Sequence, residues 1–218
     1  MKNVLLILTT FFALQSCARI NDPSESTDNK GSQEFVKIPI DKSQTDTAYF
    51  AAGCFWCVEA IYESVRGVIE VESGYSGGVI KNPTYEQICT GKLKHAEAVK
   101  VIYDPKKVSF STLVDVFFNS HDPSTLNRQG PDSGPQYRSI AFYQTDEEKV
   151  IVNDKIKALK EAGTFSKITT EVKAFEVFYK AEEYHQDYEK NNPNQGYIRA
   201  VSIPRLNKFK EKMPEVLK

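Results

Sequence analysis

Along this chain the spacing of apolar residues changes period repeatedly, and each change marks an element. Residues 47–51 are β-prone, while 58–65 carry apolar side chains at helical spacing. Residues 68–75 alternate and end among Gly74, Gly77 and Gly78, which predicts a strand running into a turn. Residues 82–89 read as a short helix capped by Asn82 or Thr84 and closing at Gly91. The clearest strand is 96–103, stopped by Asp104-Pro105, after which Ser109 caps an amphipathic helix through Phe118. Residues 119–137 form a long loop full of breakers (Asp122-Pro123, Gly130-Pro131, Gly134-Pro135), and long ordered loops in compact domains tend to be functional. A strand at 139–143, a helix at 146–162, a strand at 169–175 and a last short helix at 181–190 precede an irregular C-terminal tail. The succession predicts an α+β fold: a two-layer α/β sandwich with antiparallel pairing between successive strands and a ferredoxin-like βαββαβ core carrying extra loops.

The N-terminus departs from this pattern. Lys2 precedes an apolar stretch from Val4 to Leu14 that is too short for a comfortable membrane span, and Leu14-Gln15-Ser16-Cys17 follows at once. That tetrad resembles a bacterial lipobox, which implies a signal peptide over 1–17, cleavage before Cys17, and a lipid on the Cys17 thiol. The mature protein is then tethered to the periplasmic or outer face of a membrane. The alternative is a plain secretory signal with Cys17 incidental; export is expected either way. Residues 21–33 hold almost nothing apolar, so 18–46 is expected to be a flexible linker, with 35–40 acting as an arm. The remaining 47–218 suffices for one domain with a real core. A formal net charge of -1 argues against a general nucleic-acid binder, and the basic run at 149–160 has the spacing of a solvated helix face. No internal repeat is visible.

Candidate chemistry centres on Cys54-Phe55-Trp56-Cys57. The chain has 4 cysteines; with Cys17 assigned to lipid, Cys54, Cys57 and Cys89 are too few to staple a scaffold. Cys54 falls at a strand-to-helix corner, where free N–H groups and the helix dipole favour an anion and lower a thiol pKa from its usual ~8.5 towards neutrality. Cys57, one turn on, is within the span that a disulfide tolerates. Two buried structural cysteines remain the plain alternative. In His95-Ala96-Glu97 the strand period turns both polar side chains to one face. A buried Glu97 would stay protonated near neutral pH and act as a general acid; an ordinary edge-strand glutamate is the other reading. Taken singly, Tyr85, Asp132, Tyr137 and Tyr188 read as surface tyrosines or a loop-capping aspartate.

Seven blocks in order, spanning about residues 48–197, resemble the peptide methionine sulfoxide reductase A family. They are Gly53-Cys54-Phe55-Trp56, Gly74-Tyr75-Ser76-Gly77-Gly78, Asn82-Pro83-Thr84-Tyr85, His95-Ala96-Glu97-Ala98-Val99, His121-Asp122-Pro123, the loop from Asn127 to Ser139, and the run from Ala181 to Tyr188. The resemblance implies that Cys54 attacks the sulfoxide sulfur and Glu97 protonates the departing oxygen. It implies that Tyr85 and Tyr137 hydrogen-bond that oxygen with Asp132 beside them, that Phe55 and Trp56 hold the ε-methyl group, and that Tyr188 completes the pocket wall. The substrate would be the S epimer of methionine sulfoxide, free or in exposed protein residues. The product leaves a sulfenic acid on Cys54, which a second thiol must resolve. Many members have Gly where this chain has Cys57 and keep resolving cysteines in the tail; this chain has none after Cys89, so Cys57 becomes the resolver, with Cys89, read as a small buried residue, the fallback. Regeneration implies a thioredoxin-like donor and no metal or other cofactor, in a monomer whose only membrane contact is the lipid anchor. His95 and His121 are expected to orient loops or backbone, and His185 to sit on the last helix beside the pocket wall. The rival readings are a thioredoxin-type thiol-disulfide oxidoreductase and a zinc module using Cys54, Cys57, Cys89 and His95.

Overall fold

The computed structural model describes residues 44–218. The signal at 1–17 with Cys17, the arm at 35–40 and nearly all of the linker at 18–46 lie outside the described residues. Strands β1 (Asp46–Ala52), β2 (Val68–Ser76), β3 (Ala96–Tyr103), β6 (Ser139–Tyr143), β7 (Glu171–Ala174) and β8 (Phe178–Lys180) form one sheet in the order β7-β6-β1-β3-β2-β8. β4 (Arg128–Gln129) and β5 (Asp132–Ser133) form a separate small hairpin. Helices are α1 (Phe55–Glu63), α2 (Tyr85–Cys89), α3 (Phe110–Ser120), α4 (Asp146–Glu161), α5 (Tyr188–Asn191) and α6 (Ile203–Lys212). The result is a mixed α/β fold around a central sheet.

Period-two alternation sorts the sheet's side chains. Ala48, Phe50, Ala52, Val99, Val101 and Tyr103 face the main core with Ile61, Tyr62, Leu113 and Phe117 from α1 and α3, whereas Tyr49, Ala51, Ala96, Ala98, Ile140 and Phe142 make a smaller cluster on the other face. Phe50 stacks on both Tyr62 and Phe117 with ring centroids 5.2 Å apart. Full burial of each such ring contributes roughly 1.5–3 kcal/mol. Glu97 shares the parity of Val99 and Val101, so its carboxyl, 1 % exposed, is buried on the main-core face of the sheet.

Several expectations need correction. The 119–137 segment contains the β4/β5 hairpin and a 3-10 turn at Pro135–Tyr137. β7 pairs parallel with β6, because α4 carries the chain across the sheet between them. The helix expected at 181–190 is instead a 3-10 turn (Glu183–His185) followed by the short α5: Asp187 takes a left-handed φ of 52°, and Gln186 turns its side chain onto the Ser73 backbone. The tail is not irregular. A π-helical turn (Ile198–Ser202) runs into α6, whose Pro204 lies in the first turn, where a missing N–H costs nothing.

Candidate active site

The corner between β1 and α1 carries the two thiols. Gly53 has φ +90°, and a Cβ on it would stand 2.6 Å from Gln129 Cβ of the hairpin, so glycine alone lets the hairpin close on the corner. Cys54 is the N-cap of α1: its carbonyl accepts the Val58 N–H at 3.3 Å, but its side chain takes no capping bond. The first helical N–H, that of Phe55, donates instead to Glu97 Oε2 at 3.0 Å.

This arrangement corrects the expected charge on Cys54. Burial, the hydrogen-bonding reach of Cys57 and the neighbouring Glu97 push its thiol well above the usual range. The Phe55 N–H is taken by Glu97, and the Cys54 side chain makes no capping bond at the helix terminus. On Cys57 the contact from Cys54 outweighs burial and, with the Arg205 guanidinium, lowers the thiol to about 6. Glu97 is pushed up to about 8, chiefly by desolvation, against the Phe55 N–H that favours its charged form. The buried carboxyl is therefore a neutral acid at pH 7.

Cys54, Phe55, Trp56, Tyr85, Glu97, Asp132, Tyr137 and Tyr197 surround one cavity of about 200 Å³. Phe55 is buried and lies 6.4 Å, ring to ring, from Tyr85. Burial also raises the Tyr85 and Tyr137 phenols, which stay protonated donors. Tyr188 is not among the lining residues; it stacks on Trp56 from behind, rings 3.8 Å apart and 8° from parallel. The Trp56 indole N–H donates to His185 Nδ1 at 3.1 Å, so His185 holds the pocket wall from a 3-10 turn rather than from a helix. His95 Nε2 is 2.9 Å from the Ile80 carbonyl, and His121 bonds the Phe117 carbonyl and Ser139 Oγ; both fasten backbone or loop.

Three participants escaped the sequence reading. Tyr197 donates to Asp132 Oδ2 at 2.6 Å and lies 3.7 Å from Cys57 Sγ. Glu182 accepts from the Tyr85 N–H at 3.0 Å and from the Tyr75 hydroxyl at 2.8 Å, which fixes the start of α2 and so the place of the Tyr85 ring. Arg205 donates to the Ala52 and Ser120 carbonyls at 2.8 and 2.9 Å, tying α6 to the corner. Only the Ala181–Tyr188 run carried any motif signal. Cys89, expected to be buried, is exposed at the end of α2, within hydrogen-bonding reach of Tyr85. Among the described residues no group of three or more His, Cys, Asp or Glu is placed to hold a metal ion.

A thiol pair facing a neutral carboxyl across an aromatic-walled cavity defines a cysteine-based oxidoreductase. The family model described as peptide methionine sulfoxide reductase matches residues 46–217. Peptide methionine sulfoxide reductase MsrA 1 of Rhodopirellula baltica is 48% identical over 173 residues, 79% of this chain and 90% of that protein. The MsrA of Trichodesmium erythraeum is 49% identical over 171 residues, 78% and 97% of the two chains. Of solved structures, methionine sulfoxide reductase A of Corynebacterium diphtheriae aligns with a TM-score of 0.63 at 36% identity, covering 70% of this chain and 77% of that one. Mxr1 from Saccharomyces cerevisiae in reduced form aligns with a TM-score of 0.65 at 33% identity, covering 73% and 92%. The chain belongs to the peptide methionine sulfoxide reductase family, and it is an oxidoreductase acting on methionine sulfoxide.

Proposed function

We propose that the enzyme reduces the S epimer of methionine sulfoxide, free and in exposed protein residues, by attack of Cys54 Sγ on the sulfoxide sulfur while Glu97 protonates the oxygen. The observation that carries this reading is a buried, un-ionised Glu97 lining the same cavity as Cys54. A sulfoxide oxygen is a strong acceptor and a poor leaving group, so a positioned acid with the Tyr85 and Tyr137 phenols lowers the barrier to breaking the S–O bond. Phe55 and Trp56 offer an apolar wall to the ε-methyl group. Methionine leaves, and the oxygen stays on Cys54 as a sulfenic acid.

Cys57 then attacks the Cys54 sulfur, the S–O bond breaks, water departs and a Cys54–Cys57 disulfide remains. A dithiol protein of thioredoxin type returns two electrons and two protons by exchange. No prosthetic group enters this cycle. Lipidation at Cys17 would hold the enzyme at the outer or periplasmic face of a membrane, on the strength of the Leu14-Gln15-Ser16-Cys17 tetrad.

Intact mass after one equivalent of the S sulfoxide, without reductant, is expected to show the loss of two hydrogens, mapped to the peptide bearing Cys54 and Cys57. Cys54→Ser is expected to release no methionine; release from that variant overturns the assignment. A disulfide mapped to Cys89 would move the resolving role there.

A further inference from the structure

A second buried carboxyl near the site takes no part in the proposed reduction. Glu59 is 2 % exposed, belongs to α1 and does not line the cavity. Residues three apart on a helix are neighbours on one face, so Glu59 stands beside Trp56, which does line it. These two side chains grip two consecutive residues of the C-terminal stretch. Glu59 Oε1 accepts the Asp187 N–H at 3.2 Å, and the Trp56 ring stacks on Tyr188 at 3.8 Å.

Asp187 is a residue that needs holding. Its φ of 52° is left-handed, a conformation uncommon outside glycine that persists where surrounding contacts fix it. On one side Gln186 is fastened to the sheet: its side chain accepts the Ser73 N–H and donates to the Ser73 and Ala181 carbonyls. At Asp187 itself the Glu59 carboxyl takes the backbone N–H, while the Asp187 carboxylate pairs with Lys190 at 3.6 Å. The next residue is Tyr188, which opens α5. Without Glu59 the Asp187 N–H loses its acceptor, and the turn that delivers Tyr188 to the indole loses its anchor on α1.

We propose, on the reading that Trp56 walls the pocket for the ε-methyl group, that Glu59 is a positioning residue for the reaction. Its carboxyl fixes the Asp187 backbone, which seats Tyr188 behind Trp56 and so sets the plane of the indole in the cavity. Desolvation pushes the Glu59 carboxyl up to about 8, so near pH 7 it accepts this bond chiefly as the neutral acid. A glutamine keeps the acceptor oxygen and carries no charge, so it substitutes for Glu59; a leucine, of similar size, does not.

The test uses the chain's single tryptophan, Trp56, as its reporter. Glu59→Leu is expected to move the emission to longer wavelength, as Tyr188 leaves the ring and water reaches it. Its KM for methionine sulfoxide should rise about fivefold with kcat nearly constant, the effect of one lost hydrogen bond. Glu59→Gln is expected to keep the wild-type emission and KM. Tyr188→Leu should raise KM by a similar factor, and adding Glu59→Leu to it should raise KM little further, because both act on Trp56 through one contact. In wild-type protein, where no variant has to fold, the Asp187 amide is expected to exchange with deuterium at least about tenfold more slowly than an unbonded amide. Wild-type emission and KM in Glu59→Leu, a Glu59→Gln enzyme as impaired as Glu59→Leu, full additivity in the double variant, or an unprotected Asp187 amide overturns the proposal. A wild-type enzyme that releases no methionine from the sulfoxide would sink the proposed reduction itself, a result distinct from the emission and exchange readings.

Discussion

The corner spanning β1 and α1 and the C-terminal stretch from Ala181 to Lys212 meet at the same cavity, yet they contribute different things. The corner is regular: a strand, a glycine turn and a helix place Cys54 and Cys57, the atoms whose bonds change. The C-terminal stretch is a succession of short turns, and it reaches that corner through single contacts. Tyr188 and His185 hold Trp56, Glu182 holds Tyr85, Tyr197 holds Asp132, and Arg205 holds the Ala52 carbonyl. The two thiols thus sit on one small local unit, and the side chains around them are positioned by a segment more than a hundred residues away in sequence.

Substitutions on the two sides separate those contributions. Glu97→Gln removes the acid and is expected to lower kcat/KM by about 10²–10⁴-fold, the usual range for acid catalysis. The working form of Glu97 is the protonated one, so wild-type activity should fall as pH rises through about 8, and a kcat/KM pH profile of the variant should lack that limb. A fall of only a few-fold with the limb intact would shift the acid elsewhere. On the C-terminal side, Glu182→Gln weakens two charge-assisted hydrogen bonds, to the Tyr75 hydroxyl and the Tyr85 N–H. The expected loss is about tenfold in kcat/KM; an unchanged value would reduce this stretch to a cover. Trp56→Phe keeps an aromatic face for Tyr188 but loses the donor to His185. A single neutral hydrogen bond contributes about 1 kcal/mol, so KM should rise by roughly fivefold with kcat nearly constant, measured by steady-state kinetics on free methionine sulfoxide.

Much of the fold was legible because its central elements announce themselves locally. Alternation gave β3 at Ala96–Tyr103 and β6 at Ser139–Tyr143, and the caps Ser109 and Thr84 mark the starts of α3 and α2. β8 was missed because three residues are too few to show a period. α6 was missed because Pro204 and a dense basic pattern look like a breaker and a coil, although proline is tolerated in a first turn. At the site, Cys54, Glu97 and the pocket aromatics were readable as motif residues. The charge on the thiol pair was not. It depends first on burial of Cys54 and on the nearness of the two thiols to each other, then on Glu97 and on Arg205 arriving from α6, and none of these leaves a trace in local spacing.

The burial of Cys54, only 6 % exposed, bears on survival in the surroundings where such an enzyme is needed. Peroxide, which creates oxidised methionine, also destroys unguarded cysteines, and it does so through accessible thiolates. Two sulfurs this well covered, Cys54 at 6 % and Cys57 at 1 % exposure, give a small oxidant in bulk solvent little surface to strike.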